Sequence, residues 1–143
     1  MAGSQIVGTV VSDTSVDDTS KLVKDAHAAV AITATADGLT TGIVPEDALF
    51  CTVTSAAAAN IVTLPTGTIG DPLVLQVTAN GCELRTPSGS SADINDIDCD
   101  VTNELAIPAD TTVVLNYVAD DKWIARAWSK VGAALATLLP DAQ

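Results

Sequence analysis

Aromatic side chains are scarce in this chain. Phe50, Tyr117, Trp123 and Trp128 make up 3% of its 143 residues. A core built around rings is excluded, and no aromatic platform for sugars stands out. Trp123 and Trp128 lie five positions apart, so on one strand they project to opposite faces and read as core or interface packing. Basic residues are also few. Lys21, Lys24, Arg85, Lys122, Arg126 and Lys130 stand against 18 acids, for a net charge of −12. Phosphate binding needs clustered Lys and Arg, so nucleic acid is excluded as a partner. The acidity itself reads as solubility and resistance to self-association.

The parts of common chemistries are missing too. His27 is the single histidine, without metal-ligand spacing around it, and there is no Gly-x-Ser-x-Gly. Cys51, Cys82 and Cys99 contain no Cys-x-x-Cys pair and, being three, cannot all pair within the chain. Cys51 and Cys82 fall on apolar faces, which predicts buried free thiols made in a reducing compartment. The start, MAGSQIVGTVVSD, lacks the basic and apolar regions of a signal peptide. The late apolar run Val131–Leu139 is about half of what spans a bilayer. The expectation is a soluble protein with no membrane partner, no cofactor, no metal and no catalytic residue.

What is present is aliphatic. The chain is 48% hydrophobic, mostly Ala, Val, Leu and Ile, with Thr and Ser filling alternate positions. That mixture favours β-branched strand packing. The predicted fold is mainly β: a single antiparallel β-sandwich or barrel-like domain over 29–129. An extended N-terminal arm, 1–28, precedes it. A short C-terminal helix in 130–143 follows, with Val131, Leu135, Leu138 and Leu139 on one stripe and Gly132 weakening it.

Asn80-Gly81 gives the sharpest local signal. It sits between two alternating runs, and a type I′ turn needs positive φ at both central residues. Read as a hairpin, it pairs Ala79 with Cys82 and Val77 with Leu84. Leu75, Val77, Cys82 and Leu84 then share one face, and Gln76, Thr78, Glu83 and Arg85 the other. Ser55–Asn60 reads as one helical turn between strands. Thr112–Val118 and Lys122–Trp128 read as two strands about Asp120-Asp121. Their register is ambiguous, because neither a two-residue nor a three-residue loop gives a clean polar face.

Function is expected on the less patterned parts. The arm holds Ile6, Val7, Val10 and Val11, which suit docking as an added strand on a partner, followed by a polar linker from Ser12 to Ser20. Leu135 and Leu138 are candidates for packing on the domain or on a neighbour. The acidic run Asp93, Asn95, Asp96, Asp98 and Asp100 fails as an EF-hand, because Asp98 falls where that loop requires glycine. It reads as a solvated acidic loop.

The runs FCTVTSAAAANIVTLPTG, DPLVLQVTANGCELRT and IPADTTVVLNYVADDKWIA resemble the small capsid decoration (cement) proteins of tailed bacteriophages. The shared pattern is a strand ending in Thr-Ser-Ala, an Asn-led strand ending in Leu-Pro, an Asn-Gly turn, an Ile-Pro-Ala turn into a strand, and a late Trp. It covers about Phe50 to Ala125. The resemblance implies a β-rich homotrimer on the outside of a phage head, made in the host cytoplasm. Its partners would be the major capsid protein and its own copies. A host-attachment or carbohydrate-binding module of a virion fibre is the alternative, and it would depend on Trp123 or Trp128.

Overall fold

The computed structural model describes residues 29–100, 103–135 and 138–142, with side chains through 140. The arm, with Ile6, Val7, Val10 and Val11, lies outside them. The strands are β1 (Val30–Thr33), β2 (Phe50–Thr54), β3 (Ile61–Thr63), β4 (Pro72–Val77), β5 (Cys82–Arg85), β6 (Asp93–Ile94), β7 (Ile97–Asp98), β8 (Asn103–Ile107), β9 (Thr111–Ala119), β10 (Lys122–Ser129) and β11 (Asp141–Ala142). They form a seven-stranded sheet, β1-β2-β4-β9-β10-β6-β7, and a four-stranded sheet, β11-β8-β5-β3. The protein is mainly β. The antiparallel expectation is corrected in part: β1 with β2, β2 with β4, β3 with β5 and β6 with β10 run parallel.

One core joins the sheets. Cys51, Val53, Leu73, Leu75, Val77, Val113, Leu115 and Trp123 come from the larger sheet. Val62, Cys82, Leu84, Leu105 and Ile107 come from the smaller. Each sits at every second position of its strand, the period that sends alternate side chains to opposite faces. Burying one such aliphatic side chain is worth roughly 1.5–3 kcal/mol. Tyr117 and Trp123 meet edge to face with centroids 5.1 Å apart.

Asn80-Gly81 adopts the expected backbone but not the expected hairpin. Both residues have positive φ, 70° and 77°. Yet β4 pairs with β2 and β9, while β5 pairs with β3 and β8. The turn is a corner that carries the chain from one sheet to the other. Leu75, Val77, Cys82 and Leu84 are all buried as expected. The pattern fixes which side chains go inward. It does not distinguish two apolar faces side by side in one sheet from two that face each other across a core. At the corner the Thr78 N–H donates to Val53 O and the Asn80 amide to Ser55 O. A Cβ on Gly81 would lie 2.5 Å from Ile107 O, so the end of β8 packs tightly on this residue.

Arg85 leaves the expected exposed face. It is 6% exposed and pairs with Glu104, which is 2% exposed, at 3.9 Å. The β9–β10 ambiguity resolves into a two-residue loop plus a bulge: Lys122 pairs with Ala119, and Trp123 then pairs with Tyr117. Ser55–Asn60 is a tight turn closed by Asn60 N–H on Ala57 O.

The expected C-terminal helix is a correction. Among the described residues there is no helix. After β10 the chain turns back at Gly132, φ 78°. Ser129 N–H donates to Ala133 O, Leu135 N–H donates to Ala127 O, and Trp128 bridges Ala134. A ten-residue segment interrupted by glycine nucleates a helix poorly. The open edge of β10 offers its backbone groups ready partners instead.

Candidate interaction surface

The edge of β3, and the part of β10 beyond its short pairing with β6, are closed by the chain itself. On β3, Thr35 and Ile61 exchange backbone hydrogen bonds, Val44 N–H donates to Thr63 O, and Thr63 N–H donates to Gly42 O. On β10, Asn95 acts as a substitute peptide unit. Its Oδ1 accepts from Ala125 N–H at 2.9 Å, and its Nδ2 donates to Ala125 O at 3.2 Å and Leu138 O at 2.8 Å. With Asn95 N–H on Trp123 O and Leu135 N–H on Ala127 O, these bonds cover most of the β10 edge beyond its pairing with β6. Such covering blunts edge-to-edge aggregation. Asn95 was expected in a solvated acidic loop; its φ of 53° sets its side chain over β10.

The outward face of the seven-stranded sheet is different. Strands β1, β2, β4, β9 and β10 contain no Asp or Glu at all, in a chain with 18. Opposite the buried positions they present Thr52, Gln76, Thr112 and Trp128 in one row, and Phe50, Val74, Val114 and Arg126 in the next. Phe50 is 37% exposed and Val118 47%. Thr112 Oγ1 donates to Gln76 Oε1 at 2.7 Å, so the centre of the face holds its polar groups in internal bonds. Five strands side by side make a surface about 20 Å across.

Arg126 stands at the β10 end of this face. Arg85 pairs with Glu104, Lys122 with Asp96 and Lys130 with Asp110. Among the described residues no carboxylate pairs with Arg126. Its Nη1 donates to Ala125 O at 2.8 Å and to Asn95 Oδ1 at 3.4 Å. Beside it a cleft of about 400 Å³ is lined by Trp128, Leu135, Leu138, Leu139, Ile124 and Asn95, among others.

Thus Trp128, Leu135 and Leu138, singled out in the sequence, come together in one cleft. Trp123 does not: it is 1% exposed, inside the core. Sequence reasoning missed Phe50, Val74, Val114, Ile124 and Arg126. The signal was available as the lack of acid across five strands, visible only when those strands are read as neighbours.

No family model, curated protein or solved structure matches the chain.

Other chemistry is sparse among the described residues. No three His, Cys, Asp or Glu side chains are placed to hold a metal ion. In the acidic run, Asp93 pairs in register with Asp98 across β6 and β7, and Asp96 binds Lys122. The three thiols are free and buried. Burial pushes Cys51 up to about 11. Burial, then Glu83, pushes Cys82 up to about 12. Burial, then Glu104 and Asp98, pushes Cys99 up to about 12. The thiolate is the nucleophile, so these cysteines are inert at neutral pH.

Proposed function

We propose that this protein is a capsid decoration protein that binds the outside of a phage head and stabilises the shell, as a homotrimer of β-sandwich subunits. The observation that carries the reading is the acid-free outward face that β1, β2, β4, β9 and β10 make together. A protein of charge −12 repels other acidic surfaces everywhere except where its acids are absent. A broad, uncharged sheet face with half-buried Val74, Val114, Ile124 and Trp128 suits a protein partner. Trp and Arg, the residue types that most often dominate binding energy, stand together at its β10 end. The resemblance over Phe50–Ala125 points to the same role. The shell contact is assigned to this face, with a structural rather than catalytic task and the major capsid protein as partner.

The test is removal. Heads formed without the protein assemble but fail sooner under heat or osmotic shock, and added protein restores them. Equal stability with and without it would sink the reading. Light scattering at micromolar concentration gives a trimer mass; a monomer mass counts against the trimer. A fibre module would instead bind glycan through Trp128, since Trp123 is enclosed; glycan binding lost in Trp128→Ala would favour it.

A further inference from the structure

Asn80-Gly81 carries a reactivity apart from its role as a turn. Of the five asparagines, Asn60, Asn80, Asn95, Asn103 and Asn116, only Asn80 precedes a glycine. The backbone nitrogen that follows an asparagine is a nucleophile toward the side-chain carbonyl carbon. A bond forms between that nitrogen and Cγ, and the Cγ–Nδ2 bond breaks. Nδ2 leaves as ammonia, taking the proton that the backbone nitrogen gives up. Water then opens the succinimide ring to aspartate, or to isoaspartate, in which the chain runs through the former side chain. Glycine favours the attack, because no Cβ crowds its nitrogen or limits its backbone. The reaction needs only water.

The corner opposes this chemistry. Asn80 itself is exposed. Its side chain is tied across the turn, with Nδ2 donating to Ser55 O at 2.9 Å. Ring closure has to rotate Cγ toward the Gly81 nitrogen against this bond. Gly81 is buried, and the space a Cβ would take there is filled by Ile107 O at 2.5 Å and Ala109 N at 3.2 Å. The preceding residue is pinned on both sides. Thr78 N–H and Oγ1 both donate to Val53 O, at 3.0 and 2.9 Å, and Thr78 O accepts from Asp110 N–H at 3.0 Å. The nucleophile, the carbon it attacks and the peptide between them are thus held by three separate stretches of chain.

We infer that Asn80 is a self-modification site, a deamidation site that the folded corner suppresses, so that unfolding marks the chain there. The mark also bars the way back. A carboxylate at position 80 has no donor for Ser55 O and meets it with like partial charge. Isoaspartate lengthens the backbone next to Gly81, where Ile107 O leaves no room. Chemical change of the unfolded chain then makes unfolding irreversible, and the protein's working life is set by how seldom the corner opens. The inference is independent of the shell-binding reading and is tested without capsids.

The experiment incubates the full chain at mildly alkaline pH, in buffer and in guanidinium. Isoaspartate is read by methyltransferase labelling and located by peptide mapping, which separates position 80 from Asp37-Gly38. In denaturant the mark forms at Asn80 before any other asparagine. In the folded protein it forms about 30-fold more slowly, the suppression that two local hydrogen bonds supply when reaction runs through the opened corner. Thr78→Val removes the hydroxyl bond to Val53 O and raises the folded-state rate about five-fold, with the rate in denaturant unchanged. Gly81→Ala, measured in denaturant where folding plays no part, removes most of the signal. Chains aged in denaturant refold only in proportion to the unmarked fraction. Equal rates in buffer and denaturant overturn the inference. So does a denatured chain marked first at another asparagine, or full refolding of marked chains.

Discussion

The two sheets turn unlike outer faces to their surroundings. Over the four-stranded sheet the chain lays its own 35–44 loop. Thr63 Oγ1 donates to Gly38 O at 2.7 Å, the Arg85 guanidinium donates to Asp37 O and Thr63 Oγ1, and the Arg85–Glu104 pair is enclosed. On the seven-stranded sheet Ala31, Thr33, Phe50 and Asn116 are exposed, and the 134–139 segment reaches only its β10 end. The covered face contains charge. The other face carries no acid across β1, β2, β4, β9 and β10, its acids being confined to the short β6 and β7. A face that the chain covers itself can afford a buried ion pair held in fixed geometry. A face kept for a partner avoids charges that each binding event would have to desolvate.

Predictions that break or sharpen this contrast begin on the covered side. Arg85→Ala strips a cation from buried Glu104 and should cost about 3 kcal/mol, since breaking a buried pair leaves an uncompensated charge. Denaturant unfolding measures it. A cost under 1 kcal/mol would mean that Glu104 is held by its other contacts. Gly81→Ala forces a Cβ against Ile107 O at positive φ and should cost about 2 kcal/mol. A hairpin at this position would tolerate that change better, so the result also tests the corner. Asn95→Ala removes the amide that closes the β10 edge, at about 1–2 kcal/mol. Hydrogen exchange at Ala125 should speed up, while exchange at the core residue Leu115 changes only by the global loss.

A weaker effect concerns pH. The folded-state values of Cys51, Cys82 and Cys99 are raised to about 11, 12 and 12 from an ordinary 9.0. Folding therefore favours the neutral thiols. Their contribution is complete below pH 9 and is lost as the pH climbs through the raised values. Stability should decline above pH 9, and Cys-to-Ala substitution should flatten that decline. Thiol reagents should label the native protein slowly at pH 8. The smallest stability effect belongs to the open face: Val114→Asp and Val74→Lys, at half-buried positions, should each cost about 1 kcal/mol of unfolding free energy.

Much of the framework was legible in the sequence. Alternation in Leu73–Val77 and Cys82–Leu84 marked the inward residues, and Asn80-Gly81 marked a positive-φ turn. Partner choice was not legible, because the same alternation serves a hairpin and a corner equally. The C-terminal segment misled for a related reason. Val131, Leu135, Leu138 and Leu139 have helical spacing, but the unpaired edge of β10 took their backbone, and that edge exists only after β9 and β10 pair. Arg85 looked like a surface residue because the 35–44 loop that buries it comes from far earlier in the chain. Of the candidate site, Trp128, Leu135 and Leu138 were foreseen separately. Their convergence on Arg126 needed the register of β10 and the position of Asn95.

The account rests on the acid-free face as the surface that meets the shell. Heads lacking the protein, heated after add-back, test it most directly. Wild-type protein and Ala106→Asp, a change at an exposed position on the smaller sheet, should restore stability. Val114→Asp, once its fold is verified by circular dichroism, should not. If Val114→Asp restores the heads as fully as the wild type does, the outward face of the seven-stranded sheet is not the contact surface.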